Sequence, residues 1–429
     1  MSARPVSIVI PTHDRRDAVV RAVRALGNQR YPPEAIDVVV VADGCSDGTA
    51  AALESGEWPF RLQVVSQASS GPAAARNRGA AAAQSSLIIF LDDDIEVSPG
   101  FVAAHVARHE APDTVAIGYL PVDLQGRRDF FAVMLRAWWE AMFERMREPG
   151  HRYVYSDLLS GNFSLPRALF DRVGRFDESL RCHEDYELGY RLIESGAQFQ
   201  FASEAVGTHH EHTTLPRALA RKRDEGRADV ALASRYPELL ALLPLAPQRH
   251  PATRRGRLLR HLAASRPAVG DRLASRYSSM LDALERLRLR TRWRRLLDDL
   301  LSYWYWRGVT EAGGGNLVSR ARSPIADPPR TTCDIDLRAG VDAAGRELDA
   351  ARADAIRLVW GPHAVVEIAR QPGAERVQGR HLRMVLRNAS KAMAEAFARS
   401  EMDAPAPLRQ PPHSDPRPVD GPGEPWREM

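Results

Sequence analysis

The chain has 429 residues, of which 44% are hydrophobic and 27% charged, and its formal net charge is +4 at pH 7. This composition excludes a disordered chain and allows one large hydrophobic core or two ordinary ones. The three cysteines, Cys45, Cys182 and Cys333, lie far apart, which argues against a disulfide framework or a zinc site built on paired cysteines and favours a reducing, cytoplasmic compartment.

Segments for export or membrane insertion are not predicted. Residues 1–5 lead directly into a predicted strand and leave no room for a signal peptide. No apolar run approaches the roughly 20 residues needed to cross a bilayer. We therefore expect any membrane contact to be peripheral, at the inner face of the membrane.

The first 91 residues alternate predicted strands and helices. The apolar run at 6–10 predicts a strand, and residues 15–26 predict a helix with one apolar face. The next predicted elements are a strand at 37–41, a helix from Thr49, a strand at 61–65, a helix at 73–83 and a strand at 87–91. This alternation predicts an α/β domain with a parallel nucleotide-binding half-sheet, in which ligands lie beyond the carboxyl ends of the strands.

From about residue 100 the pattern predicts mixed helix and loop. An aromatic helix is predicted around 130–143, and we interpret its Trp138 and Trp139 as core residues rather than as a platform for a sugar. A strand at 158–165 and helices at 167–173 and 184–196 complete this part of the chain.

The remaining residues predict a helical extension followed by a small domain. The predicted boundaries place a first domain at 1–230, an Arg-rich helical extension at 231–322, a linker at 323–332, a small accessory α+β domain at 333–400 and a disordered tail at 401–429. Between residues 249 and 307 there are fifteen arginines against five acidic residues. These arginines form either a solvated face packed on the first domain or a surface for anionic lipid headgroups. No nucleic-acid partner is predicted, because no DNA- or RNA-binding motif interleaves them.

Three consecutive carboxylates follow the apolar run at 87–91. Asp92, Asp93 and Asp94 repel one another and lose hydration beside the strand, which indicates a counter-ion such as a divalent metal carrying a phosphate. On this tripeptide alone, a solvated acidic turn is an equal alternative.

Several segments, in this order and spacing, resemble the family 2 glycosyltransferases. They are residues 6–14, 38–49, 71–79, 90–94, 161–176 and 183–196, and the resemblance covers residues 5–230, about half of the chain. It implies a GT-A type, Rossmann-like fold and a metal-dependent, inverting transfer of a sugar from a nucleotide sugar to a hydroxyl acceptor. The implied donor is a UDP- or dTDP-sugar, with GDP-sugars also in the family. The implied acceptor is a sugar, a lipid-linked molecule or a small molecule, and the product is a surface polysaccharide, a glycolipid or a decorated metabolite.

The resemblance implies that the nucleotide lies against residues at the strand ends. Asp43 is expected to accept a hydrogen bond from a pyrimidine N–H, although Ala42 stands where the family usually has a further Asp. The residues expected nearest the base are Pro11, Thr12 and Asp14. Taken alone, a Thr or Asp before a helix is more simply a helix cap.

The same resemblance implies a metal site at the acidic triplet. Asp94 is expected to bind Mg²⁺ or Mn²⁺, with Asp92 near the metal, the ribose or Arg76, and Asp93 beside the donor. Arg76 lies in the segment 71–79 and is expected near the nucleotide. A histidine completes the metal shell in many relatives, and the resemblance favours His210 or His212 for that role.

Catalysis is expected at the acidic pair Glu184 and Asp185. The resemblance implies that Asp185 takes the proton from the acceptor hydroxyl as the oxygen attacks the anomeric carbon, and one such base implies one displacement and inversion. Taken alone, acidic residues in a first helical turn simply interact with the helix dipole. Gly161 is expected to let the sugar approach the backbone.

Two other functions remain open from the sequence. A nucleotidyltransferase would share the sheet and a metal-binding Asp, but residues 11–17 lack the Gly-rich, Lys-containing phosphate loop that it would use. A catalytically inactive module that binds polysaccharide or lipid through the Arg-rich region is the second alternative, which the presence of Asp92, Asp94 and Asp185 disfavours.

Overall fold

The computed structural model of the chain describes residues 3–245, 253–315, 317, 332–351, 353 and 355–403. Its first part is built on a nine-stranded sheet. The strands are β1 (Val6–Thr12), β2 (Ile36–Asp43), β3 (Arg61–Gln67), β4 (Leu87–Leu91), β5 (Ile95–Val97), β6 (Thr114–Tyr119), β7 (Val122–Asp123), β8 (Asn162–Pro166) and β9 (Gln198–His210). The helices of this part are α1 (Arg16–Leu26), α2 (Thr49–Glu54), α3 (Pro72–Ala82), α4 (Phe101–Ala107), α5 (Phe130–Arg147), α6 (Arg167–Arg172) and α7 (Glu184–Glu194).

The strand order places the ends of β1, β2 and β4 side by side. The order is β3-β2-β1-β4-β8-β6-β9-β5, with β7 beside β9. Strands β3, β2, β1 and β4 run parallel, whereas β8 runs antiparallel to β4. All residues of β2 and β4 are buried, as expected for apolar strands covered on both faces. The predicted half-sheet is therefore confirmed, and its carboxyl edge carries the acidic triplet.

In the second half of the sheet, β8 was predicted as a strand at 158–165, whereas β9 was not predicted. Strand β9 alternates only in its first residues, and its register against β6 shifts after Gly118, so its sequence lacks a strand's regular period. The interpretation of both tryptophans as core residues also needs correction. Trp139 packs against the core, but the Trp138 side chain is 52% exposed because the two neighbours point in different directions around α5.

Four helices follow the sheet and share its core. They are α8 (Leu215–Arg235), α9 (Arg254–Ser265), α10 (Pro267–Arg286) and α11 (Arg290–Glu311). One cluster of buried apolar residues extends from Val6 to Val309, so the predicted boundary at residue 230 falls inside α8 and separates no cores. Helix α11 crosses α8 closely at Gly308, where a Cβ atom would lie 1.8 Å from the backbone oxygen of Arg223.

The described residues of the Arg-rich stretch at 249–307 form three helices, α9, α10 and α11, of which α10 and α11 are separated by a turn. Arg288, with a φ of 53°, lies in the turn between them. Within the described residues, no helix combines the length and apolar character that crossing a membrane requires.

A small α+β domain with its own apolar core completes the described chain, as predicted. It contains β10 (Thr332–Asp336), β11 (Ala355–Trp360), β12 (His363–Ala369), α12 (Val341–Ala350), α13 (Gly379–Asn388) and α14 (Ser390–Asp403). Buried Glu375 joins this domain to the first one by accepting hydrogen bonds from the backbone of Phe199 (3.0 Å) and Tyr153 (3.2 Å). Residues 323–331 of the predicted linker and 404–429 of the predicted tail lie outside the described residues.

Candidate functional site

The three carboxylates after β4 are held by two arginines: Asp92 by Arg76, and both Asp93 and Asp94 by Arg15. Asp92 accepts a hydrogen bond from Arg76 at 2.7 Å. Asp93 accepts one from the Thr12 hydroxyl at 2.7 Å and one from Arg15 at 2.6 Å. Asp94 lies 3.0 Å from the same Arg15 nitrogen. The repulsion expected from the sequence is thus relieved by two arginines.

The central carboxylate of the triplet faces the protein interior. Burial raises the pKa of Asp93 to about 6, against the opposing effects of Arg15 and Thr12. Its two oxygens are occupied, and Thr12 is itself buried. The expected direct contacts of Thr12 and Asp93 with the donor are therefore corrected: these two residues fix the position of the β4 end from inside.

Asp94 faces a histidine that was not predicted. The Nε2 atom of His209 lies 3.6 Å from Asp94 Oδ1. Burial alone would raise the pKa of Asp94, but contact with His209 and the charge of Arg15 lower it below its ordinary value. Conversely, burial would lower the pKa of His209, but Asp94 raises it. The two shifts indicate that the buried carboxylate of Asp94 is stabilised by a cationic partner.

The two predicted histidines lie elsewhere. His210 points to the other side of β9, where it contacts Glu96 at 3.1 Å and Asp123 at 3.4 Å, and His212 is exposed. Successive side chains of a strand point to opposite faces, so when His209 faces Asp94 its neighbour His210 faces away. His209, rather than His210 or His212, thus lies beside Asp94. The sequence carried no clear signal for this, because β9 lacks a regular alternation.

Asp94 and His209 fit a divalent ion. Two ligands of one ion, each about 2.1 Å from the metal, lie within 4 Å of each other, as these two donor atoms do. The other ring nitrogen of His209, Nδ1, is buried without a hydrogen-bond partner among the described groups, and a Glu211 oxygen lies 4.0 Å from it. The edge of the His209 ring meets Trp139, with ring centroids 5.7 Å apart. The ring is thus confined with Nε2 directed at Asp94.

Arg76 connects the acidic triplet to α7. Its guanidinium binds Asp92 through Nη2 and Glu184 through Nη1, the latter at 3.0 Å, and it lies over the ring of Phe176. The Arg76 side chain is 5% exposed, and its Nε has no hydrogen-bond partner among the described groups. This arginine therefore holds the predicted metal site and the predicted base in one place.

Asp185 differs from its neighbour Glu184. It forms no salt bridge within the described part of the chain, and its Oδ1 accepts a hydrogen bond from the backbone of Tyr186 at 2.9 Å. Burial and the charge of Glu184 raise the pKa of Asp185 to about 6, although His183, Arg221 and Arg76 oppose this shift. A carboxylate with a raised pKa and no fixed cation is a better proton acceptor than an ordinary one.

The segment at 160–161 lies between the two acidic groups. The backbone N–H of Ser160 points to Asp185 Oδ2 at 3.5 Å, and a Cβ atom on Gly161 would lie 2.8 Å from Asp92 Oδ2. Asp92 and Asp185 therefore face neighbouring residues of one short segment, and a glycine is required where Asp92 approaches the backbone.

The remaining predicted donor residues shape loops at the same sheet edge. Asp14 is exposed and accepts hydrogen bonds from Ser46, which ties the loop after β1 to the loop after β2, and Pro11 is half-buried in register with Val41. Buried Asp43 accepts hydrogen bonds from the backbone of Ser70 and Gly71 and from Gln67. Three of its roughly four acceptor positions are thus used to order the turn before α3.

A family model described as Glycosyl transferase family 2 matches residues 7–174. The match includes β1, β4 and β8, and it ends before α7, so the residues of the acidic triplet lie within it and Asp185 lies beyond it. The predicted α/β fold is confirmed by the sheet and the helices around it.

Curated relatives are similar to about half of this chain. Validoxylamine A glucosyltransferase of Streptomyces hygroscopicus subsp. limoneus is 33% identical over 234 residues, which is 48% of this chain and 52% of that protein. The pre-mycofactocin glycosyltransferase of Mycobacterium tuberculosis (strain CDC 1551 / Oshkosh) is 30% identical over 261 residues, 57% of this chain and 51% of that protein. The chain thus spans about half the length of these relatives.

Among solved structures, a mannosyltransferase from Pyrobaculum calidifontis in complex with GDP-Man and Mn²⁺ is 18% identical to this chain. The alignment covers 71% of this chain and 86% of that one, with a TM-score of 0.47.

Proposed function

We propose that the chain is a metal-dependent, inverting glycosyltransferase that moves a sugar from a nucleotide-sugar donor to a hydroxyl acceptor. The observation that carries the proposal is the double salt bridge of Arg76, which joins the Asp92–Asp94 end of β4 to the Glu184–Asp185 start of α7. A cation site and a proton acceptor are thereby held side by side. The match of residues 7–174 to the Glycosyl transferase family 2 model, and relatives named as glycosyltransferases, support the same activity.

The residues divide the chemistry between them. Asp94 and His209 would hold Mg²⁺ or Mn²⁺, which supplies positive charge for the departing nucleoside diphosphate. Arg15 lies beside Asp94 and would contact a phosphate oxygen. Asp185 accepts the proton of the acceptor hydroxyl while that oxygen bonds to the anomeric carbon and the bond to the diphosphate breaks. Because one base serves one displacement, the anomeric configuration is inverted.

Arg76 and the loops around it orient the donor. Arg76 fixes Asp92 at the edge of the site. The Asp92 side chain remains 37% exposed there and would reach the ribose of the donor. Asp43 retains one acceptor position for a pyrimidine N–H, so we favour UDP- and dTDP-sugars over GDP-sugars as donors. The acceptor is a sugar, a lipid-linked molecule or a small molecule. The corresponding product is a polysaccharide, a glycolipid or a decorated metabolite.

A panel of nucleotide sugars tests the donor class. We expect UDP- or dTDP-sugars to raise the melting temperature of the wild-type chain in the presence of Mn²⁺, because a ligand that binds only the folded state stabilises it. Chelation of the metal should remove the shift, and Asp94→Ala should show none. GDP-sugars and the free sugars serve as comparisons in the same thermal-shift measurement. If no nucleotide sugar stabilises the wild type with Mn²⁺, the proposal fails and an inactive binding module becomes the better description.

A second part of the proposal is peripheral contact with the inner face of an anionic membrane. Val269, Arg272, Arg276, Met280 and Leu287 follow one another along α10 and its end at helical spacing, and all are exposed. An exposed stripe that mixes arginines with large apolar side chains suits anionic headgroups above acyl chains. This surface would bring the site to a lipid-linked acceptor.

Vesicle binding tests this surface. We expect the chain to cosediment with vesicles that contain phosphatidylserine and to remain unbound with pure phosphatidylcholine. Each basic residue near an anionic surface contributes about 1 kcal/mol, so Arg272→Gln with Arg276→Gln should weaken binding by at least about tenfold. Val133→Ser, at an exposed apolar residue of α5, is the matched control and should bind like the wild type. Equal binding to both lipid compositions would contradict the electrostatic contribution.

A further inference from the structure

The residue just before the acidic pair has an unusual backbone conformation. His183 precedes α7 as its N-cap and has a φ of 60°, in the left-handed region that few non-glycine residues adopt. Such a conformation persists only where surrounding contacts hold it. Because Glu184 and Asp185 follow directly, the conformation of His183 sets the direction from which both carboxylates project.

Helices α8 and α11, which follow the sheet, supply contacts that hold His183. Its Nδ1 lies 2.9 Å from Oδ1 of Asp229, a residue of α8 that is 1% exposed. The other oxygen of Asp229 accepts a hydrogen bond from the Tyr305 hydroxyl of α11 at 2.6 Å. On the side of α7, the His183 ring stacks on Tyr186, with centroids 4.4 Å apart. The ring is thus held by Asp229 of α8 and by Tyr186 of α7, and Tyr305 of α11 in turn holds Asp229.

The buried carboxylate of Asp229 requires a cation, and His183 provides it. Burial alone would lower the pKa of His183, but the hydrogen bond and charge of Asp229 raise it above its ordinary value. A protonated His183 places a positive charge next to Asp185 along the chain. The charged or titratable groups that act on Asp185 or share its surroundings are His183, Glu184, Cys182, Arg76, Arg221 and Glu225.

We infer that His183, held by Asp229 and Tyr305, is a positioning residue for Asp185, so that α8 and α11 set both the place and the charge state of the base. This inference rests on the proposed function, since it assigns Asp185 as the proton acceptor. It gives α8 and α11 a role in the reaction through the position of Asp185. The link could not be found from sequence spacing, because 46 residues separate His183 from Asp229 and 76 separate Asp229 from Tyr305.

The first test compares two tyrosines of α11. Tyr305→Phe removes the buried hydrogen bond to Asp229, whereas Tyr303→Phe removes a partly buried hydrogen bond to Asp271 at 2.5 Å, which has no connection to α7. Turnover is followed as release of UDP from a UDP-sugar across a range of pH. We expect Tyr305→Phe to lower kcat while the donor KM is unchanged, and Tyr303→Phe to behave like the wild type. Equal losses in both variants would show a general packing effect and overturn the inference.

The second test separates charge from backbone conformation. His183→Asn retains a residue type that tolerates the left-handed region and can still hydrogen-bond Asp229, but it removes the positive charge. We expect kcat to fall about tenfold. The rise of kcat on the acidic side of its pH profile should move up by about one pH unit, because loss of a neighbouring opposite charge raises the pKa of a carboxylate by about that amount. Asp229→Asn should move the limb in the same direction. An unchanged limb in both variants would overturn the inference.

A measurement that does not depend on turnover distinguishes failure of this inference from failure of the proposed function. The imidazole signal of His183, assigned by its absence in His183→Asn, is titrated by NMR. We expect a pKa above the ordinary value in the wild type and a lower one in Asp229→Asn. An ordinary or lowered pKa in the wild type contradicts the inference even if turnover is normal. Conversely, a raised pKa in a chain that transfers no sugar leaves the link standing and refutes the proposed activity.

Discussion

We expect Asp185→Asn to lower kcat by a factor of about 10² to 10⁴, the usual contribution of a positioned general base. The amide has nearly the same shape, and its oxygen still accepts the Tyr186 backbone hydrogen bond that Asp185 accepts at 2.9 Å. Donor binding, measured by thermal shift with Mn²⁺, should therefore stay close to that of the wild type. Near-wild-type turnover in Asp185→Asn would contradict the assignment of the base.

The pH dependence of the same reaction provides a sharper signature. Asp185 has a pKa of about 6 and must be ionised to accept a proton, so wild-type kcat should rise with pH through about 6 and level off above it. Asp185→Asn should lose this limb. Glu184→Gln is the matched comparison: Glu184 raises the pKa of Asp185, so its removal should move the limb to lower pH rather than abolish it. A limb that is unchanged in Asp185→Asn would belong to another group.

The parts of the site that the sequence predicted well are those carried by local, strongly patterned segments. The apolar run of β4 followed by Asp92, Asp93 and Asp94 predicts both the strand and the carboxylates at its end, because burial on both faces leaves a continuous apolar run. The acidic pair before α7 is similarly local. What the sequence did not predict is which of these carboxylates faces inward, since that depends on Thr12 and Arg15, about 80 residues earlier.

Partners supplied by distant segments account for most of the remaining differences. Asp43 orders the turn before α3 through backbone groups of Ser70 and Gly71, which no side-chain pattern marks. His209 lies on a strand whose irregular period hid both the strand and the direction of its side chains. Trp138 was predicted as core from its residue type alone, whereas its exposure is decided by what packs against α5. In each case the deciding information is the packing between elements.

His209 and His210 provide the most direct test of the metal site, because they are neighbours on β9 that point to opposite faces. We expect His209→Ala to weaken Mn²⁺ binding in the presence of UDP by about 100-fold or more, since even residues that only support a metal ligand usually contribute 10- to 100-fold. Asp94→Ala should have an effect of the same order. Binding is measured from the EPR signal of free Mn²⁺, which disappears as the ion is bound.

His210→Ala is the matched control on the same strand. Its contacts with Glu96 and Asp123 are at the surface, and exposed ion pairs contribute at most about 1 kcal/mol, so Mn²⁺ binding should change by less than about fivefold. The opposite result, with strong loss in His210→Ala and little in His209→Ala, would restore the expectation drawn from the family pattern and contradict the geometry at Asp94. Because both substitutions remove one imidazole from adjacent positions of one strand, a general loss of stability would affect both variants, whereas loss of a ligand affects only the one that faces the ion.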